Sequence, residues 1–185
     1  MNKKVKMLLG LLVFAVVIAG AILAYDWLSN VGYEPENLVQ ESQNEDRVPA
    51  IDFAMLDQQN NELRLSDFFG VPIVLNFWTT WCPACVMESP YFETLYQEMG
   101  SEIHILKVNL LDGQRETRGG VEGFMEEHGY TFPLFFDTTG EASGAYGIRG
   151  IPHTIFIDAD GYIVARIQGA ASEQSLREGI DAARG

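Results

Sequence analysis

Metal ligands and positive charge are both scarce in this chain. It holds two cysteines, Cys82 and Cys85, and three histidines, His104, His128 and His153. A structural zinc needs four ligands at characteristic spacing, and no second pair stands where Cys82 and Cys85 would require one, so no metal site is expected. Beyond Tyr25 there are nine basic residues against all 26 acidic ones, a formal charge of −17 for that part. Such a surface repels nucleic acid and anionic lipid headgroups, and solubility is reason enough for it. No internal repeat or low-complexity tract is evident, and 185 residues fit one domain with an appendage.

The one long uncharged run covers residues 7–25, MLLGLLVFAVVIAGAILAY. It is long enough to span a bilayer, which takes about 20 apolar residues. Lys3, Lys4 and Lys6 precede it, while Asp26, Glu34 and Glu36 follow. The positive-inside rule then leaves the amino terminus in the cytoplasm and exports everything after about Tyr25. A cleaved signal peptide is the competing reading, with Ala19-Gly20-Ala21 as its small-residue site, but Ile22, Leu23 and Ala24 carry the apolar run past that point. An uncleaved single-pass anchor over residues 1–25 is therefore expected. No lipid-attachment cysteine follows it, since both cysteines lie far downstream.

Residues 26–47 are polar, acidic and without periodicity, the pattern of a tether, and a domain is expected over 48–185. There Ile51, Phe53 and Met55 alternate, a turn-rich stretch follows at 57–61, and Leu63 and Leu65 alternate again, which predicts a hairpin. Ser66 is placed to cap a short turn closed by Gly70. Residues 73–78, IVLNFW, are broken only by Asn76 and read as a central strand covered on both faces. A helix is predicted over 82–99, kinked at Pro90 and stopped by Gly100. A strand over 103–109, an irregular polar loop over 110–120 and a short helix over 121–128 come next. A strand at 134–136, a helix at 140–146, a hairpin of 154–158 and 162–167 turned by Asp160-Gly161, and a helix at 172–183 capped by Ser172 complete the chain. Helices alternating with strands, then a late hairpin, predict an α/β sheet of mixed direction flanked by helices.

The chemistry gathers in Trp81-Cys82-Pro83-Ala84-Cys85. Two cysteines in an exported chain could form a structural disulfide, but a bridge across two residues closes a very short loop and stabilises least. A cysteine at a helix start meets unsatisfied N–H groups and the positive end of the helix dipole, which favour the thiolate. Cys82 is so placed, and Cys85 lies one turn behind it, turned inward. Cys82 would then exchange with substrate and Cys85 resolve the mixed disulfide. Trp78 and Trp81 flank the pair; Trp81 is the better candidate for touching substrate, since aromatics at strand ends are usually core. The loop with Asp112, Arg115 and Arg118 could form a partner-binding rim or a plain solvated loop. His153 could carry a proton or simply sit in a strand.

Asn76-Phe77-Trp78, the Trp81–Cys85 motif and Pro90 together resemble the thioredoxin superfamily active site. Tyr146-Gly147-Ile148-Arg149-Gly150-Ile151-Pro152 resembles the superfamily segment that ends in a cis-proline facing the cysteines; an ordinary trans bond is the alternative. If Ile151–Pro152 is cis, the Ile151 backbone is free to pair with an extended substrate. The closer resemblance is to the membrane-anchored TlpA/ResA/CcmG group. It rests on the anchor and amino-terminal hairpin, on an inserted helix and strand over about 121–137, and on Glu88, three residues after Cys85. It spans about residue 48 to the end. The resemblance implies that Glu88 exchanges a proton with Cys85, and Asn76, which cannot titrate, stands where thioredoxins proper carry an Asp. A solvated surface Glu is the plainer reading of Glu88.

The expected protein is thus an anchored, extracytoplasmic thiol–disulfide oxidoreductase of thioredoxin-like fold. Its site residues are Cys82, Cys85 and Glu88 for catalysis, with Trp81, Pro83, Ile151 and Pro152 toward substrate. It would need no cofactor beyond the Cys82–Cys85 disulfide. Its partners would be protein thiols and disulfides, an upstream membrane or exported thiol donor, and the membrane itself; the resemblance suggests apocytochrome c as a client. A reductant is the leading reading. An oxidant is the nearest rival, because Pro83-Ala84 does not fix the redox potential. A copper-binding module using Cys82, Cys85 and His153 is the rival from another class.

Overall fold

The computed structural model describes residues 47–185 throughout, together with 38–40 and the helical positions 16, 18, 19 and 20. Most of the expected membrane span therefore lies outside the described residues, and among those described no helix is long and apolar enough to cross a membrane. The chain divides into two units, Met1–Pro35 and Glu36–Gly185. The second carries all the strands: β1 (Leu38–Gln40), β2 (Val48–Pro49), β3 (Ala54–Leu56), β4 (Glu62–Arg64), a 3-10 turn (Leu65–Phe68), β5 (Ile73–Trp78), α1 (Pro83–Met99), β6 (His104–Leu110), α2 (Arg118–His128), β7 (Leu134–Asp137), α3 (Glu141–Ala145), β8 (His153–Ile157), β9 (Tyr162–Gln168) and α4 (Glu173–Arg184).

The strands form one mixed sheet in the order β1-β9-β8-β5-β6-β7-β3-β4, with β2 also on β9. β5 sits between β6, its parallel neighbour, and β8, which runs antiparallel. All six residues of β5 are buried, as a strand covered on both faces requires. Alternation then divides its side chains: Ile73, Leu75 and Phe77 join the core built with Phe53, Leu106 and Val108, while Val74 and Trp78 join the core under α1 and α4 with Phe92, Leu95 and Leu176. Asn76 falls on this second face by the same period of two.

Several local expectations are corrected. Ile51 is exposed, and the hairpin begins at Ala54. Ser66 does not cap the turn; the Asp67 carboxylate does, accepting from the Arg64 N–H at 2.7 Å. Helix α2 starts at Arg118, running through Gly119 and Gly120, because the Thr117 hydroxyl accepts the Gly120 N–H at 3.3 Å and holds the first turn despite two poor helix formers. Helix α1, by contrast, runs through Pro90 to Met99, the extent that the sequence predicts. Leu38–Gln40, within the stretch read as a tether, pairs along β9, whose edge offers open backbone groups.

Gly179 marks where α4 crosses the sheet. A Cβ there would lie 2.3 Å from the Phe156 ring. Gly179→Ala is expected to destabilise the domain by about 1–3 kcal/mol through overpacking, despite its better helix propensity. Urea unfolding checks this.

Candidate active site

Strand β5 delivers the chain to the start of α1, where Cys82 is the N-cap with extended backbone angles and Pro83 occupies the first helical position, needing no N–H partner there. The Cys85 N–H donates to Cys82 Sγ at 3.2 Å. That orphan amide and the helix dipole therefore both act on this sulfur, the setting that stabilises a thiolate. Cys82 and Cys85 are joined as a disulfide, their Cα atoms 5.2 Å apart. Cys85 is wholly buried, while Cys82 keeps 5% of its surface exposed. The Ile151–Pro152 bond is cis, and the Ile151 carbonyl oxygen lies 3.6 Å from Cys82 Sγ. Cys82, Pro83, Ile151 and Pro152 thus meet at one point. Trp81 stands out at 40% exposure with the Arg115 guanidinium 3.9 Å above its ring. Trp78 is fully buried core.

One turn along α1, Glu88 is not a solvated surface residue but a fully buried one. Strand register explains what it meets. Thr154, Asn76 and Lys107 stand side by side on β8, β5 and β6, all on the face beneath α1. Asn76 Nδ2 donates to Glu88 Oε1 at 2.9 Å and to Thr154 Oγ1 at 3.0 Å, while the Ala171 N–H donates to Glu88 Oε2 at 2.8 Å. Burial pushes the Glu88 carboxyl above the usual carboxylate range, opposed by Lys107 and by these hydrogen bonds. Burial likewise pulls Lys107 down to about 8, with Glu88 acting against it. The Lys107 ammonium sits over the rings of Phe92, Trp78 and Phe132 at 4.1, 4.8 and 5.2 Å, with Ser89 Oγ at 3.5 Å. Sequence reading passed over Lys107, although a lysine inside an apolar strand is a signal in its own right, since an unpaired buried charge is costly.

Glu116 is the second residue overlooked. It is buried, and its carboxylate accepts from the Thr80 N–H at 2.7 Å, the Thr80 hydroxyl at 2.8 Å and Asn109 Nδ2 at 2.6 Å. Thr80 directly precedes Trp81, so Glu116 fixes the approach to the cysteines. Asp112 supports this loop by accepting from the Gln114 and Glu116 N–H groups, both at 2.8 Å. Of the rim residues, Arg115 covers Trp81, whereas Arg118 turns to the Asp57 and Gln58 carbonyls. Glu116→Ala is expected to cost about 2–3 kcal/mol, because it strands the Thr80 and Asn109 donors. Thermal denaturation measures it.

No group of three or more His, Cys, Asp and Glu side chains among the described residues is arranged to hold a metal ion. What the arrangement can do is break and remake a disulfide, because the cysteine that keeps some exposure lies beside an activating amide and the other lies behind it.

These features define a thiol–disulfide oxidoreductase of thioredoxin-like fold. More closely, the chain belongs to the AhpC/TSA family, whose model matches residues 47–166. Among its relatives, thiol-disulfide oxidoreductase ResA of Geobacillus thermodenitrificans is 35% identical over 135 residues, covering 71% of this chain and 74% of the relative. ResA of Halalkalibacterium halodurans is 31% identical over 179 residues, covering 96% and 95%. The crystal structure of StoA from Bacillus subtilis superposes with a TM-score of 0.61 at 29% identity, covering 72% of this chain and 98% of its own. A structure described as thiol:disulfide interchange protein DsbE from Chlorobium tepidum gives 0.67 at 26%, covering 76% and 99%.

Proposed function

We propose that residues 1–25 anchor this protein in a membrane, that the segment of 26–47, apart from Leu38–Gln40 paired on β9, spaces the domain of 48–185 from it outside the cytoplasm, and that the domain reduces disulfides of protein substrates, apocytochrome c cysteines among them. The unequal setting of the two cysteines supports the exchange chemistry of this reading: Cys82 at the helix start with slight exposure, Cys85 wholly buried. The Cys82 thiolate attacks one sulfur of a substrate disulfide and expels the other as a thiolate. Cys85, losing its proton to Glu88, then attacks Cys82 Sγ and releases the second substrate thiol. Two electrons have passed to the substrate, and Cys82–Cys85 is left oxidised until an upstream thiol donor restores it. Trp81, Pro83, Ile151 and Pro152 form the surface on which the substrate segment rests.

Direction follows from the reduction potential. A value near or below about −270 mV, that of thioredoxin, is expected, and one approaching about −120 mV would overturn the reductant reading in favour of an oxidant. Equilibration with glutathione and dithiothreitol buffers measures it. Protease added to intact cells checks the anchoring: the domain should be cut outside the membrane while the amino terminus stays protected.

A further inference from the structure

Beside the Ile151 carbonyl lies a pocket of about 300 Å³, lined by Arg149, Gly150, Ile151, His153, Gln168 and Gly169 among others. The exported part carries 26 acidic residues, yet none lines this pocket. Arg149, exposed at its edge, has no hydrogen-bond or ion-pair partner among the described residues. Arg47, Arg64, Arg177 and Arg184, by contrast, are each tied to carboxylates. His153 is 93% buried, and its Nε2 has no hydrogen-bond partner among the described residues. A buried polar atom without a partner costs free energy, and such an atom commonly marks a position that a ligand fills.

We propose that this pocket is a specificity subsite for an acidic side chain, Asp or Glu, of the substrate polypeptide, bound by Arg149 and His153. The carboxylate would accept charge-assisted hydrogen bonds from the guanidinium and one from the imidazole, while Gln168 supplies a further donor at the rim. A guanidinium suits a carboxylate because its fork matches the two oxygens. The position of the acidic residue follows from the pocket's place. Ile151 adjoins Cys82 Sγ, and an extended chain advances about 3.3 Å per residue, so the acidic residue falls within about three positions of the reactive cysteine. The subsite deepens the proposed function, resting on its claim that the substrate is a polypeptide docked along Ile151. It also works against the long-range field, since the domain's net negative charge disfavours acidic partners. A preference for them would therefore have to be local.

The test uses peptides whose single cysteine is disulfide-linked to nitrothiobenzoate, with Glu, Gln or Lys placed in turn at each of the three positions on either side. Reduced Cys85→Ala protein attacks the peptide sulfur, forms the Cys82–peptide disulfide and releases coloured nitrothiobenzoate thiolate, so each event is counted once. At the best position the Glu peptide is expected to react about tenfold faster than its Gln counterpart, the scale of one hydrogen bond to a charged group. With Arg149→Gln that ratio should fall toward one, and with Arg149→Glu it should invert in favour of Lys. Arg149→Lys should restore part of it. A Glu-to-Gln ratio of one or less at every position, or a ratio that Arg149→Glu leaves intact, would overturn the subsite alone. Silence with all peptides would overturn the exchange reading as well.

Discussion

Replacing Cys82 with Ala is expected to abolish disulfide exchange, lowering turnover by about 10³-fold or more, the scale on which enzymes lose rate with their nucleophile. Cys85 cannot take over. It has no exposed surface, and the helix-start amides act on the other sulfur. Cys85→Ala should behave differently: Cys82 still attacks, but the mixed disulfide accumulates because the thiol that would break it is gone. Non-reducing electrophoresis and mass spectrometry of the adduct separate the two variants. Adducts trapped by Cys82→Ala and none by Cys85→Ala would reverse the assignment.

The second large effect is on stability. Lys107→Met is expected to cost about 3–5 kcal/mol, because it leaves Glu88 buried opposite no positive charge. The double variant with Glu88→Gln should recover much of that loss, since no buried charge then remains; guanidinium unfolding of the four proteins closes the cycle. The pH dependence carries a matching signature. Lys107 in the folded protein titrates at about 8, against 10.5 in the unfolded chain. The unfolded chain therefore binds more protons between these values, and stability rises with pH across that window. Glu88 acts in the opposite sense: from about pH 4.5 upward the unfolded carboxyl ionises first, so stability falls until the folded one follows. The wild-type curve minus that of the double variant should show both limbs. A flat difference would mean that the pair is not buried as described.

How much of this could be read beforehand depended on how local each feature is. The strand of 73–78 and the helix behind Cys82 were legible, because an unbroken apolar run and a Pro at the first helical turn act on their own neighbours. Glu88 was ambiguous because α1 departs from a simple apolar stripe: Met87 is 65% exposed while the adjacent Glu88 and Ser89 are buried. Local rules fail most often where function is built, and this is such a place. Lys107 and Glu116 were missed for another reason. Their partners lie on other elements, and strand register, invisible in a single sequence, brings Lys107 beside Asn76. The start of α2 was hidden by Gly119 and Gly120, whose low propensity reads as loop, and the Thr117 cap that holds the first turn went unnoticed.

The hydrogen bond from the Ala171 N–H to Glu88 gives the end of the chain a task beyond packing. That amide, just before the Ser172 cap of α4, serves Glu88 Oε2, while Asn76 serves Oε1. The helix that follows packs Leu176 and Ile180 into the same core as Cys85 and Phe92, so its seating sets where this amide stands against the buried acid. The last helix thereby acts as a clasp on Glu88: a change that loosens α4 also withdraws a donor from the carboxylate.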